Sequence, residues 1–181
     1  MTHWKIDSAH SEVNFKVKHL VVSTVRGHFN NFEASIESSK EDFIDAKIKF
    51  EADTNSINTQ NDQRDGHLKS ADFFDAANHP KMTFVSTSVK KLSEHELEVK
   101  GSLTIRGITK EVTLDVIYNG TVAGFGGVKV AGFEIRGKVN RFDFGLQWNA
   151  LTEVGGVVVS NEVKIEILAE FNKVQSEVKS A

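Results

Sequence analysis

The sequence predicts a mainly β protein, an eight-stranded antiparallel barrel with a short helical insert around residues 62–77. Three observations lead there. Most of the 181-residue chain alternates apolar with polar side chains at the period of two that a half-buried strand requires. The stretch from Gln60 to Phe84, QNDQRDGHLKSADFFDAANHPKMTF, breaks that alternation and spaces its apolar residues near a helical period. Thirteen phenylalanines stand against one tyrosine and two tryptophans, an excess suited to an apolar interior without hydrogen-bonding obligations. About eight amphipathic strands with short connections must bury their apolar faces together, and closing them into a barrel also removes sheet edges. A barrel of that size leaves room for one small ligand.

The strands follow in order. From Ser11 to Leu20, Val13, Phe15, Val17 and His19 share one face, and Glu12, Asn14, Lys16 and Lys18 the other, as in an antiparallel strand with one wet side. Val25–Phe29 and Phe32–Glu37 predict a second strand, interrupted at Asn30–Asn31 by a bulge or bend. Ala46, Ile48, Phe50 and Ala52 alternate with Lys47, Lys49 and Glu51 in a third. Met82–Val89 is a fourth, with Met82 and Phe84 inward. Glu96–Ile105 sets Leu97, Val99, Leu103 and Ile105 against Glu98, Lys100 and Thr104. Arg106–Thr109 reads as a turn, and Val112, Leu114 and Val116 form the apolar side of the next strand. Gly120 and Gly124–Gly127 mark a flexible connection. In Val128–Val139, Gly132 and Gly137 allow coiling or a close backbone approach. Val157–Ala169 ends the set, with Val163, Ile165 and Ile167 opposed by Lys164 and Glu166. A single domain over residues 1–172 is expected, followed by a polar tail, 173–181.

In the insert, Asp62 is suited to cap the helix start, and Asp65 adds negative charge to its first turn. Leu68, Ala71 and Phe73 or Phe74 form one apolar stripe. Gly66 weakens the helix, and His79–Pro80 closes the segment because a residue before proline is pushed to extended geometry. So short a helix is marginal alone and must pack on the strands.

Composition removes several function classes. The net charge is −3 and no run of Lys or Arg builds a phosphate-binding stripe, so no nucleic-acid partner is expected. The absence of cysteine excludes disulfides, thiol catalysis and thiolate metal sites. The start MTHWKIDS has neither a basic nor an apolar leader region, and no segment is apolar enough to span a bilayer, so a soluble cytoplasmic protein without stable membrane insertion is expected.

Phe15, Val17, Phe29, Ile48, Phe50, Met82, Phe84, Leu103 and Ile105 either fill a solid core or line a pocket; alternation alone does not distinguish the two. His19, on an apolar face, is either a buried histidine with one hydrogen-bond partner or a contact for a ligand head group. The histidines show no H-x-H or H-E-x-x-H spacing, so neither metal nor cofactor is expected. Arg64 and Asp65 either tie the insert to the barrel rim and serve the helix start, or face a ligand's polar end. Arg141 and Asp143, two apart, are expected on one side of a strand as a structural ion pair, with Phe142 and Phe144 on the other side. No G-x-S-x-G elbow or phosphate-cradling loop is present, and adjacent Asp7, Ser8 and His10 do not converge as a triad does.

Several motifs together resemble one family. WKIDSAHS (Trp4–Ser11), FKVKHL (Phe15–Leu20), RDGHLKSADFFD (Arg64–Asp75), HPKMTFVST (His79–Thr87), GSLTIRGITKEVTL (Gly101–Leu114) and NRFDFG (Asn140–Gly145) are similar, in order, to the YceI-like family. The resemblance covers nearly the whole chain, from Trp4 to Glu170. It implies a lipocalin-like barrel whose elongated apolar interior binds a long-chain amphiphile, typically a polyisoprenoid or isoprenoid quinone, and a homodimer. It also turns the inward set into ligand-binding candidates, together with His19, Phe73, Phe74, Phe142 and Phe144. Arg64, Asp65, Arg141 and Asp143 become structural or head-group residues. The expected function is non-catalytic lipid carriage or storage. The alternatives are an enzyme acting on a lipid-like substrate inside the barrel and a stress-related interaction scaffold without ligand.

Overall fold

The structure, a computed structural model, describes residues 1–153 and 155–175. Its elements are β1 (Thr2–Ile6), β2 (Glu12–His19), β3 (Ser23–Phe29), β4 (Phe32–Ser38), β5 (Lys47–Asp53), β6 (Ile57–Asn58), α1 (Asp62–Lys69), β7 (Lys81–Lys91), β8 (Glu96–Ile105), β9 (Ile108–Ala123), β10 (Lys129–Asn140) and β11 (Val159–Lys173). Three pairs are single strands bent in the middle. β1 and β2 pair with opposite ends of β11, Trp4 opposite Lys173 and Phe15 opposite Ile165. β4 and β3 pair with β1 and β2 in turn, and β5 and β6 with β4 and β3. Counted this way, eight antiparallel strands run up and down in sequence order, and β11 returns to β1 and β2 to close the barrel.

Each bend has a side-chain cause. At Ser8–His10, Asp7 Oδ1 accepts from the Ala9 N–H at 3.0 Å and Oδ2 meets His10 Nδ1 at 3.0 Å. At Thr54–Ser56, Asp53 accepts from the Asn55 N–H at 2.9 Å. Buried Ser56 also accepts through Oγ from the Asn31 N–H at 3.0 Å, which ties this bend to the one at Asn30–Asn31. Neighbouring strands therefore bend together.

Inside the wall, two glycines admit aromatic rings. A side chain at Gly27 would start 2.3 Å from Phe15 Cζ, and one at Gly101 2.3 Å from Phe84 Cζ and 2.6 Å from the Val85 carbonyl. Phe15 lies directly opposite Gly27, so the ring covers the bare backbone. Arg106 and Gly107 form a two-residue hairpin turn with φ of 50° and 73°, and β9 resumes at Ile108, inside the stretch expected to turn.

The insert differs from its expected form. Asn61, not Asp62, is the N-cap, accepting from the Arg64 N–H at 2.9 Å. The helix stops at Lys69 because extended Ser70 caps it, its Oγ donating to the His67 carbonyl at 2.6 Å. Residues 70–78 are turns, so Phe73 and Phe74 are not on a helical stripe, and Ala71 is exposed. Leaving the helix early lets the two rings point apart, Phe73 toward Trp148 and Phe74 toward Phe29. At the other end of the chain, Lys173 belongs to β11 rather than to a tail, and residues 176–181 lie outside the described residues.

Two predictions follow from these contacts. Gly101→Val forces Phe84 off its rotamer against rigid backbone and lowers stability by about 1–3 kcal/mol, read as a reduced denaturation midpoint. The Asp7–His10 hydrogen bond holds the Asp7 carboxyl below its ordinary range and raises the His10 imidazole above its own. His10 therefore favours the folded state at low pH and loses that contribution as pH rises through its raised value. Asp7 loses its contribution as pH falls through its lowered value. An NMR titration should place the His10 midpoint above the ordinary imidazole value, and Asp7→Asn should return it.

Candidate functional site

The barrel encloses a cavity of about 240 Å³ along its axis, far above the roughly 10–15 Å³ that one water needs. Only Asn14 and Arg141 among the lining residues carry polar side chains, and Asn14 turns its amide to Glu12 at 3.1 Å. Of the expected ligand-binding residues, Phe15, Phe29, Ile48, Phe50, Phe73, Phe74, Met82, Phe84, Leu103, Ile105 and Phe144 all line it. Val17, His19 and Phe142 do not. Val17 and His19 lie past the cavity's reach, toward the β2–β3 turn. Phe142 instead packs under the Arg141 guanidinium, 4.7 Å from ring centroid to Cζ.

The two ends of the barrel are built differently. At the upper end, the β4–β5 connection drops Phe43 into the barrel, where its ring meets Trp4 at 5.4 Å, Tyr118 at 5.4 Å and Phe133 at 5.1 Å. Asp45 holds that connection, accepting from Ser38 Oγ and from the Ser39 N–H at 3.0 Å, and the Ser38 hydroxyl keeps its carboxyl below the ordinary range. The inward residues of β10 and β11 are buried at this end, at Ala131, Phe133, Ala169 and Phe171. Farther down the same strands Ile135, Val139, Ile165 and Val163 are partly exposed, so the free space lies toward the lower end.

The lower end is crossed by the insert and by the segment from Arg141 to Val158. They meet at His67, whose ring stands 5.0 Å from Phe73 and 4.7 Å from Trp148. Arg106 fastens the insert, donating through Nη1 to the carbonyls of Ala71 and Phe73 at 2.7 and 2.8 Å. Arg64 and Asp65 both engage Thr59. Arg64 donates to its hydroxyl and carbonyl at 2.7 Å each, and Asp65 accepts from its N–H at 2.9 Å and hydroxyl at 2.6 Å. Neither faces the cavity.

Arg141 organises the second segment, in a manner the sequence reading did not anticipate. Arg141–Phe144 is a 3-10 turn, not a strand, because Asn140 caps it and Gly145, at φ 75°, ends it. Asp143 is exposed and forms no ion pair with Arg141 among the described residues. The buried guanidinium donates instead to four carbonyls: Ser160 at 2.9 Å, Leu146 and Trp148 at 2.7 Å each, and Val159 at 3.2 Å. Burial lowers its pKa from the ordinary guanidinium value, yet a group that basic stays charged. The lower end of the cavity thus holds one cation with no carboxylate facing it.

A YceI-like domain matches residues 4–171. The chain belongs to the YceI-like family. A UPF0312 protein of Staphylococcus aureus is 42% identical over 173 residues, 95% of this chain and 98% of the relative. The crystal structure of the Campylobacter jejuni YceI protein is 32% identical, with a TM-score of 0.74 over 93% of this chain and 96% of that one. A polyisoprenoid-binding domain from Saccharophagus degradans, implicated in plant cell wall breakdown, shares the fold at 16% identity and a TM-score of 0.63, over 94% and 98% of the two chains. This YceI-like barrel is therefore the lipocalin-like barrel the motifs implied.

Chemically, the cavity can bury an apolar chain and present one guanidinium; among the described residues its lining holds no nucleophile and no acid–base pair. Away from it, Asp7, His10 and Glu170 bring metal-ligand atoms within 4.8 Å of one another at the β1–β2 bend, but His10 Nδ1 is already engaged by Asp7. Phe43, Phe133, Phe171 and Trp148 are site-building residues that sequence reasoning did not single out. Phe133 was within reach, since Ala131, Phe133 and Ile135 alternate inward. Phe43 and Trp148 sit in connections, where no periodicity marks them. Arg141→Leu should leave the Leu146, Trp148 and Ser160 carbonyls without their side-chain donor, Val159 keeping that of Asn149, and lower stability by about 3 kcal/mol. Arg141→Lys, a point charge in place of a fork, should recover only part of it in the same denaturation measurement.

Proposed function

We propose that the protein binds a long-chain amphiphilic lipid of the polyisoprenoid or isoprenoid-quinone class in the barrel and carries or stores it away from water, without transforming it. The observation that carries this reading is a continuous apolar cavity whose one inward charge among the described residues is Arg141, at the roomier lower end. A chain lying along the axis gains roughly 0.8 kcal/mol for each buried methylene-sized unit, less the cost of ordering it. The polar end of that chain rests at the lower end near Arg141, and the chain runs up toward the Phe43 cluster. The 240 Å³ of space favours a ligand site over a ligand-free scaffold. An enzyme would need converging titratable groups, and the lining supports none. Family resemblance and the polyisoprenoid-binding neighbour add to the same reading, and the homodimer belongs to it.

Native mass spectrometry of gently purified protein, followed by organic extraction, tests the proposal. A discrete added mass that extracts as one prenyl species supports it; a clean apo mass with no uptake of added isoprenoids defeats it. Phe43→Ala removes the upper stop, and extraction should then recover longer chains than from the unaltered protein. Sedimentation analysis tests the dimer.

A further inference from the structure

The lower end carries a lip of exposed aliphatic side chains. The three-residue turn between β2 and β3 presents Leu20, Val21 and Val22, the latter two 77% and 86% exposed. Leu20 and Val21 hold φ of 51° and 64°, a region that β-branched residues rarely occupy and that Asn or Gly would occupy with little strain. The segment before β11 lies against this turn. The Leu20 N–H donates to the Val158 carbonyl at 3.0 Å, and Leu151, 74% exposed, bridges to exposed Val157. Five exposed aliphatic residues thus come from two connections joined at the same end of the barrel.

Above the lip, the outer wall carries one row of cations. Lys138 lies opposite Lys164, Lys164 opposite Lys16, and Lys16 opposite Arg26, a row of four cations across four strands. Like charges directly opposite one another destabilise a sheet. Among the described residues only Lys16 of this row is paired, with Glu166 at 2.6 Å. Acids flank the row as well: Glu162 two residues from Lys164, Glu111 and Asp143 around one shallow pocket with Lys138, and Asp115 opposite Arg136. Lys18 stands between row and lip, in a chain whose net charge is −3. At about 3.3 Å per residue, Lys16 is roughly 13 Å from the turn. That spacing suits aliphatic groups sunk about 5–10 Å into an interface while long basic side chains reach back to the lipid phosphates.

We infer that this face docks on an anionic phospholipid bilayer, peripherally, with the lip in the interface and the basic row against the head groups. The charge complementarity selects an anionic surface, and the aliphatic lip selects a lipid one over a nucleic acid, for which no aromatic residue stands in the row. The contact would set the roomier end of the cavity against the membrane. Its purpose rests on the carrier reading above, but its test does not.

The test is co-sedimentation of the full chain, without added cargo, with phosphatidylcholine vesicles made with or without phosphatidylglycerol. Binding about tenfold stronger to the anionic vesicles, and reduced by salt, is expected. Val21→Asp with Val22→Asp, or Lys138→Gln with Lys164→Gln, should each abolish most of it, with thermal unfolding unchanged. Leu151→Asp replaces the first pair if that variant unfolds. Phe125→Asp, fully exposed at the opposite end, should bind as the unaltered protein does. No binding to anionic vesicles, binding indifferent to lip or row, loss with Phe125→Asp, or preference for RNA over the vesicles each overturns the inference. Isoprenoid uptake measured separately, without vesicles, shows whether the carrier reading stands or fails by itself.

Discussion

Closure of the barrel by β11 is the constraint on which the rest depends. This strand pairs with β10 along one side and with both halves of the first bent strand along the other. Without it, β1, β2 and β10 would be edges, and their inward side chains would face water on an open sheet. With it, the inner faces of eight strands become one wall, and every second residue of each strand meets the same interior. The bends at Ser8–His10, Asn30–Asn31 and Thr54–Ser56 let three long strands follow the curve of that wall, with hydrogen bonds such as Asn30 N–H to the Ser56 carbonyl carrying the contact across each break in pairing.

A closed wall of large side chains ordinarily fills its own interior, since protein cores pack to crystal-like density. Here the filling is uneven. Aromatic rings from β9, β10, β11 and the β4–β5 connection crowd the upper end around Phe43, while the lower half, lined by aliphatic side chains together with Phe15, Phe29, Phe73, Phe74 and Phe144, keeps free space. The lower end is closed by two irregular segments rather than by strand residues. Arg141 ties the second of them to the wall, collecting the Leu146 and Trp148 carbonyls of that segment and the Val159 and Ser160 carbonyls at the start of β11. A guanidinium does this better than a carboxylate-paired cation, because its planar fork reaches several acceptors at once and keeps its charge when buried.

The same asymmetry runs to the outside. The upper connections surround a sealed plug, whereas the lower ones carry the aliphatic lip, the strained Leu20–Val21 turn and, above them, the basic row. Interior room, the inward cation and the aliphatic lip lie at one end. That coincidence makes an exchange of hydrophobic cargo through the lower end a coherent reading of the fold.

By itself the sequence determined the strands and their inward faces, because a period of two is local and each of Phe15, Phe50, Phe84 and Leu103 is placed by its neighbours alone. It determined the family as well, through motifs long enough to be read without coordinates. What it left open depended on residues far apart in the chain. Whether the inward faces meet in a solid core or around a space is a matter of volume, settled only when eight faces converge. Phe43 and Trp148 acquire their positions from packing, in connections that no periodicity describes. Arg141 reads as half of an ion pair with Asp143 until the 3-10 turn separates them and the chain beyond it offers carbonyls instead. The basic row is the clearest case: no run of lysine or arginine exists in the chain, and Lys16, Arg26, Lys138 and Lys164 become neighbours only because antiparallel register sets four strands side by side.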